Sequence, residues 1–157
     1  MSKGITITEE CHVVNLVPPV NIDTGGGFDE AVHLGNYAHC TFVCSSGAIT
    51  NATTLTVAAC TDSGGTSPTA LDFKYSREVT GSSDVFSALT WKGDTSGIAT
   101  GTQDGSTHVI EIDASELPDG KPWLELSASN PGADHFMGVI AILSGSRYAG
   151  AVTPSAQ

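Results

Sequence analysis

The chain has 157 residues, room for one domain and scarcely for two. Glycine (18), threonine (18) and serine (17) supply about a third of it, and 6 Lys+Arg stand against 17 Asp+Glu, a formal charge of −11. This composition excludes a coiled coil, which needs Ala, Glu, Lys, Leu and Arg in quantity. It also argues against nucleic-acid or anionic-lipid binding, which needs clustered cations. The longest apolar run, Met137–Leu143, is far short of the ~20 residues that span a bilayer.

Residues 1–10 read as a polar N-terminal arm, 11–149 as a single β domain and 150–157 as a C-terminal tail. The N-terminus carries no apolar signal-type segment, so Cys11, Cys40, Cys44 and Cys60 are expected as thiols of a reducing cytosol. Asn51-Ala52-Thr53 matches a glycosylation sequon that then has no consequence. Within the domain, apolar residues recur with period two, the spacing of half-buried strands. Strands are expected over His12–Val17, Ala31–Leu34, Ala38–Cys44 and Thr53–Cys60. The clearest alternation follows: Leu71, Phe73, Tyr75 and Val79 share one face, with Asp72, Lys74, Ser76 and Glu78 on the other. Val85–Trp91, Thr107–Ile112, Trp123–Ser129 and Phe136–Leu143 complete the set. The last is apolar on both faces and is expected to be a central strand covered on both sides.

Turn-forming clusters separate the runs, at Thr24–Gly27, Ser45–Gly47, Asp62–Gly65, Gly93–Gly97 and Gly101–Gly105. Asp113 and Glu116 have capping-box spacing and Pro118 follows, which gives one helical turn between two strands. The fold expected is all-β, an antiparallel sandwich or jelly-roll-like barrel with extended terminal arms.

A catalytic or metal constellation is hard to draw. Cys40 and Cys44 share a strand face, but a rise of ~3.3 Å per residue sets their Cα atoms ~13 Å apart, too far for one zinc ion. Ala38, Cys40, Phe42 and Cys44 read instead as a plain apolar face. His33 and His39 could approach across a hairpin, though exposed strand histidines are commoner; Cys11 and His12 are adjacent and point apart. Asp134-His135 is the most suggestive acid–base pair, yet the preceding Asn130-Pro131-Gly132-Ala133 makes it a surface loop. No G-x-S-x-G elbow is present, and Gly25-Gly26-Gly27 lacks the Lys-Ser/Thr and helix of a phosphate cradle. Trp91 and Trp123 are the candidates for a sugar-stacking platform. No catalytic residue, cofactor or metal is assigned.

The order of segments carries a resemblance. A strand ending in Val17-Pro18-Pro19 precedes the hairpin Tyr37–Val43/Leu55–Asp62, then Phe73-Lys74-Tyr75-Ser76-Arg77-Glu78-Val79 and Glu111-Ile112-Asp113-Ala114-Ser115-Glu116-Leu117. The chain closes on Ala141-Ile142-Leu143-Ser144-Gly145-Ser146-Arg147-Tyr148. Over residues 12–149 this resembles a family of small tailed-bacteriophage virion proteins, the capsid decoration or cement proteins. The four cysteines depart from that pattern. The resemblance implies a virion structural protein on the outer capsid surface, made in the host bacterial cytoplasm. Its partner would be the major capsid protein lattice, and it would be a homo-oligomer, a trimer in preference to a dimer. On this reading the arm Ile5-Thr6-Ile7-Thr8, which alternates as a strand-adding segment, and Arg147 with Tyr148 make capsid or inter-copy contacts. The alternatives are another virion β protein (tail tube, head–tail or fibre) or a carbohydrate-binding module on the particle surface.

Overall fold

In the computed structural model the described residues are 4, 6–81, 83–93 and 96–146. A helical turn, α1 (Ile7–Glu10), leads into eleven strands. These are β1 (Cys11–Asn21), β2 (Phe28–His33), β3 (Tyr37–Ile49), β4 (Thr54–Cys60), β5 (Thr69–Ala70) and β6 (Phe73–Arg77). Then come β7 (Thr90–Lys92), β8 (Ile98–Ala99), β9 (Thr107–Asp113), β10 (Trp123–Ala128) and β11 (His135–Ser146). A 3₁₀ turn at Ala114–Glu116 joins β9 to the β10 approach.

The strands form two antiparallel sheets. One has six strands in the order β1-β11-β3-β9-β6-β7, and the other runs β2-β10-β4-β5 with β8 also paired to β4. Every second residue of β4, β9 and β10 is buried, so the period-two pattern maps directly onto an inner and an outer face. The core between the sheets is filled by Phe42, Phe73, Ile110 and Ile112 from the larger sheet and Val32, Leu55, Leu124 and Leu126 from the smaller. The expected all-β sandwich is the fold.

Gly27 fixes the β1–β2 connection. Its φ of +102° is closed to L side chains, and a Cβ there would lie 2.1 Å from the Ala128 carbonyl oxygen. Asp62 behaves as its turn chemistry demands, its Oδ1 accepting the N–H groups of Gly64 (2.9 Å) and Thr66 (3.2 Å). At the 3₁₀ turn the Glu116 carboxylate accepts the Asp113 N–H at 3.0 Å, the capping arrangement its spacing foretold.

Five expectations need correction. β11 is not covered on both faces: Met137, Val139, Ala141 and Leu143 are buried, but Phe136 and Ile140 are 45% and 44% exposed. Only one layer of strands lies against it, because the second sheet packs on the inner face alone. Residues 85–91 do not form one strand. Phe86 makes a single bridge to Glu78, and pairing resumes only at Thr90. Val79 leaves the buried face of β6 and is 57% exposed, because pairing to β9 ends at Arg77 and the chain turns away. The strand geometry expected for the arm is lost at Ile7 and Thr8, where the Thr6 carbonyl accepts the N–H groups of Glu9 and Glu10 and closes a helical turn. Ala38 is also exposed, outside the apolar face of Cys40, Phe42 and Cys44.

Candidate docking face

The outer face of the six-stranded sheet is the most informative surface. One row of facing residues crosses all six strands: Val13, Ile142, Thr41, Glu111, Lys74 and Trp91. The next row runs Asn15, Ile140, Val43, Val109 and Ser76. Reading across, the face changes from apolar over β1, β11 and β3 to charged over β9 and β6.

The apolar part holds a groove of about 530 Å³, walled by Asn15, Val17, Pro19, Val43, Phe136 and Ile140, and no charged residue lines it. Its shape comes from the backbone. β1 departs from regular pairing with β11 between Asn15 and Val17 and again between Val17 and Val20, which bends the strand. Gly138 has no side chain to fill the floor, and a Cβ there would come within 3.1 Å of the Pro19 ring. Val13 and Val20, 47% and 45% exposed, extend the apolar surface along β1.

At the other margin, residues 78–81 and 83–89 form a flap between β6 and β7. Val79 N–H donates to Val85 O (2.9 Å), Ser87 N–H to Arg77 O (2.8 Å) and Ser76 Oγ–H to Ser87 O (2.7 Å). Its large side chains turn outward: Val79, Val85, Phe86 and Leu89 are 43–60% exposed, as is Trp91 on the adjoining β7. These bonds consume backbone groups without burying the side chains, so the apolar surface stays open.

Between groove and flap lies a charged network. His39 Nδ1 is 2.8 Å from Asp113 Oδ1, and its Nε2 meets the Glu111 carboxylate, which also accepts the Thr41 hydroxyl at 2.7 Å. Lys74 Nζ is 3.8 Å from Asp113 Oδ2 and 4.8 Å from the centre of the Trp91 ring. Partial burial by itself would lower the His39 pKa. The hydrogen bonds and charges of Glu111 and Asp113 together outweigh it, so the pKa is raised.

All four sheet edges are blunted against strand addition. β1 carries Pro18 and Pro19, which have no N–H to offer, and β2 exposes Asp29 and Glu30. β5 and β7 have two and three residues. Short, charged or proline-bearing edges resist edge-to-edge pairing.

The residues singled out from sequence are dispersed by the fold. His33 lies on β2, its ring centre 5.0 Å from that of Trp123, while His39 belongs to the other sheet, so the two do not meet. Trp91 and Trp123 likewise sit on different sheets and build no paired platform. His12 stacks on Tyr37. Cys40, Cys44 and Cys60 are buried and Cys11 is partly exposed; all four are free thiols. Among the described residues no three His, Cys, Asp or Glu side chains are placed to hold a metal ion.

Asp134 lies in the expected surface loop, but His135 does not: it is the first residue of β11. His135 opens β11 fully buried; its Nδ1–H donates to the Asn51 carbonyl (2.9 Å) and Nε2 lies 3.3 Å from the Ser46 hydroxyl. Asp134 instead accepts from the Asn21 side-chain amide at 2.8 Å. Of the proposed contact residues, Thr6, Ile7 and Thr8 are exposed at the start of α1; Ile5, Arg147 and Tyr148 lie outside the described residues. Sequence reading missed the groove and the flap because their apolar residues were assigned to buried strand faces.

No family model, curated protein or solved structure matches the chain.

Proposed function

We propose that this chain is a virion structural protein that decorates the outer surface of a bacteriophage head, binding assembled major capsid subunits and stabilising the shell. The observation that carries the reading is a pair of exposed apolar surfaces, the uncharged groove and the outward side chains of the flap, on a sandwich of net charge −11. Contiguous exposed apolar surface of this kind marks a protein-contact site. The resemblance of the segment order to capsid decoration proteins supports the major capsid lattice as the partner, even though Tyr37–Val43 and Leu55–Asp62 lie in different sheets and form no hairpin. The acidic remainder suits the outside of a particle, away from packaged DNA.

The mechanism follows from mass action. A protein that binds the assembled lattice and not free subunits shifts the equilibrium toward the intact shell. Individual contacts here are modest: Phe136 and Ile140 are already half-buried, so covering each contributes about 1 kcal/mol. Linking several such contacts in one oligomer converts weak sites into avid attachment.

Expanded heads lacking the protein, mixed with the purified chain, should pellet with it and then withstand heating and osmotic shock that open bare heads. Bound copies should scale with the number of capsid subunits. Heads that neither bind the chain nor gain resistance would remove the decoration role, and a few copies confined to one vertex would move it to the connector or tail.

A further inference from the structure

The fold satisfies one buried histidine and not the other. His135 is bonded at both ring nitrogens, to the Asn51 carbonyl (2.9 Å) and the Ser46 hydroxyl (3.3 Å). His108, on β9 and 1% exposed, has a partner at neither nitrogen among the described residues. The Ser106 hydroxyl, 3% exposed, is unpartnered as well. Buried polar groups are seldom left this way, because burial strips them of water's hydrogen bonds. Both side chains line one cavity of about 240 Å³, walled also by Arg77, Glu78 and residues 100–103. Arg77 faces His108 across the β6–β9 ladder, and alternation from buried Phe73 sets the two on the same side of the sheet.

We propose that this cavity binds a small tetrahedral oxyanion of the sulfate or phosphate kind, held by the Arg77 guanidinium, the His108 imidazolium and the Ser106 hydroxyl. The site is independent of what the groove and the flap contact.

Size and donor chemistry select this ligand. The cavity is smaller than the roughly 300–1,000 Å³ of sites for drug-sized molecules, and suits an ion of a few heavy atoms. Arg77 offers a planar fork of N–H donors and makes no ion pair among the described residues. Glu78 is the one acidic residue of the lining. Its carboxylate is engaged by the Thr107 N–H at 2.6 Å, and its charge acts on His108 less than that of Arg77 does. The other titratable neighbours are His135 on β11 and Cys44, which faces His108 from β3. Neither is an anion at neutral pH, since burial pushes the Cys44 thiol up to about 12. Without a ligand, the Arg77 charge opposes a proton on His108. An oxyanion between them reverses that: it attracts both cations and supplies the acceptors that His108 and Ser106 lack. Binding is then coupled to uptake of one proton by His108, so it strengthens as pH falls.

Sulfate is the probe, because it keeps its charge from pH 7 to pH 5 and any pH dependence belongs to the protein. The purified full chain is titrated with sodium sulfate by NMR, with ionic strength held constant by sodium chloride. Sulfate should shift the His108 ring signals and the amides of Arg77, Ser106 and Thr107 saturably. Its dissociation constant should fall about tenfold from pH 7 to pH 5. Arg77→Gln should weaken binding by about tenfold or more, and Ser106→Ala by a smaller factor. Arg77 is exposed, so circular dichroism of Arg77→Gln should match wild type and show that it folds. A cavity filled by water alone predicts the same spectra in sulfate and chloride, and that result would overturn the proposal. So would shifts centred away from His108, affinity independent of pH, or an Arg77→Gln variant that binds as wild type does.

Discussion

Acid should destabilise this protein through His108. The residue faces inward from β9 and is 1% exposed, and among the described residues neither ring nitrogen has a hydrogen-bond partner. Burial first, then the charges of Arg77 and His135, push its pKa down from 6.5 to about 4. An unfolded chain takes up a proton on this side chain near pH 6.5, whereas the folded chain does so only near pH 4. Between those values the unfolded state binds more protons, so stability falls as pH falls. Roughly 2.5 pH units at ~1.36 kcal/mol each give a loss of about 3 kcal/mol on going from pH 7 to pH 4. That is a large share of the 5–15 kcal/mol roughly typical of a domain.

The assay is urea unfolding followed by tryptophan fluorescence at pH 7, 5.5 and 4.5, on wild type and His108→Leu. Leucine has a similar volume and no nitrogen to leave unpaired. The variant should therefore match or exceed wild type at pH 7, by about 1–3 kcal/mol, and should lose much less stability on acidification. His135, also lowered by burial, leaves a residual slope of the same sign. The reasoning is refuted if His108→Leu keeps the full acid sensitivity, or if the His108 Cε1 proton titrates near pH 6.5 in folded protein.

His39 works in the opposite direction: its pKa is raised, so its contribution is complete below about pH 6.5 and is lost as pH rises through the folded value. The variant His39→Gln should flatten that part of the stability–pH curve, and an NMR titration of His39 above the ordinary histidine value is the direct check. Burial pushes the Cys44 thiol up to about 12 and raises Cys40 and Cys60 as well. Mass spectrometry after iodoacetamide treatment of native protein should find label on Cys11 and not on those three, with all four labelled in urea. Gly27→Ala should cost at least ~2 kcal/mol through φ strain and collision with the Ala128 carbonyl. Gly132→Ala, at φ +71° with nothing within 4 Å, should cost less in the same thermal-melt comparison.

The strands themselves were written in the sequence. Leu55, Val57 and Ala59, or Leu124 and Leu126, alternate with polar residues, and strand side chains must alternate sides wherever such a segment lies. Turn chemistry was equally local, as the Asp62 and Asp113–Glu116 hydrogen bonds illustrate. Period two says which residues share a face; it does not say whether a second layer covers the other face. Phe136 and Ile140 therefore read as core and emerged as the wall of a groove, because the smaller sheet packs on one side of β11 only. Val85, Phe86 and Leu89 read as a strand and emerged as a flap, because β6 stops pairing at Arg77. His108 was invisible as a titrating group, since its pKa depends on the layer above it. Sequence by itself determined the alternation, some of the turns and the acidic charge, whereas Ser45–Gly47 read as a turn and lies within β3. Only the tertiary structure decided which apolar residues remain uncovered, because coverage is set by which strands become neighbours across the sandwich.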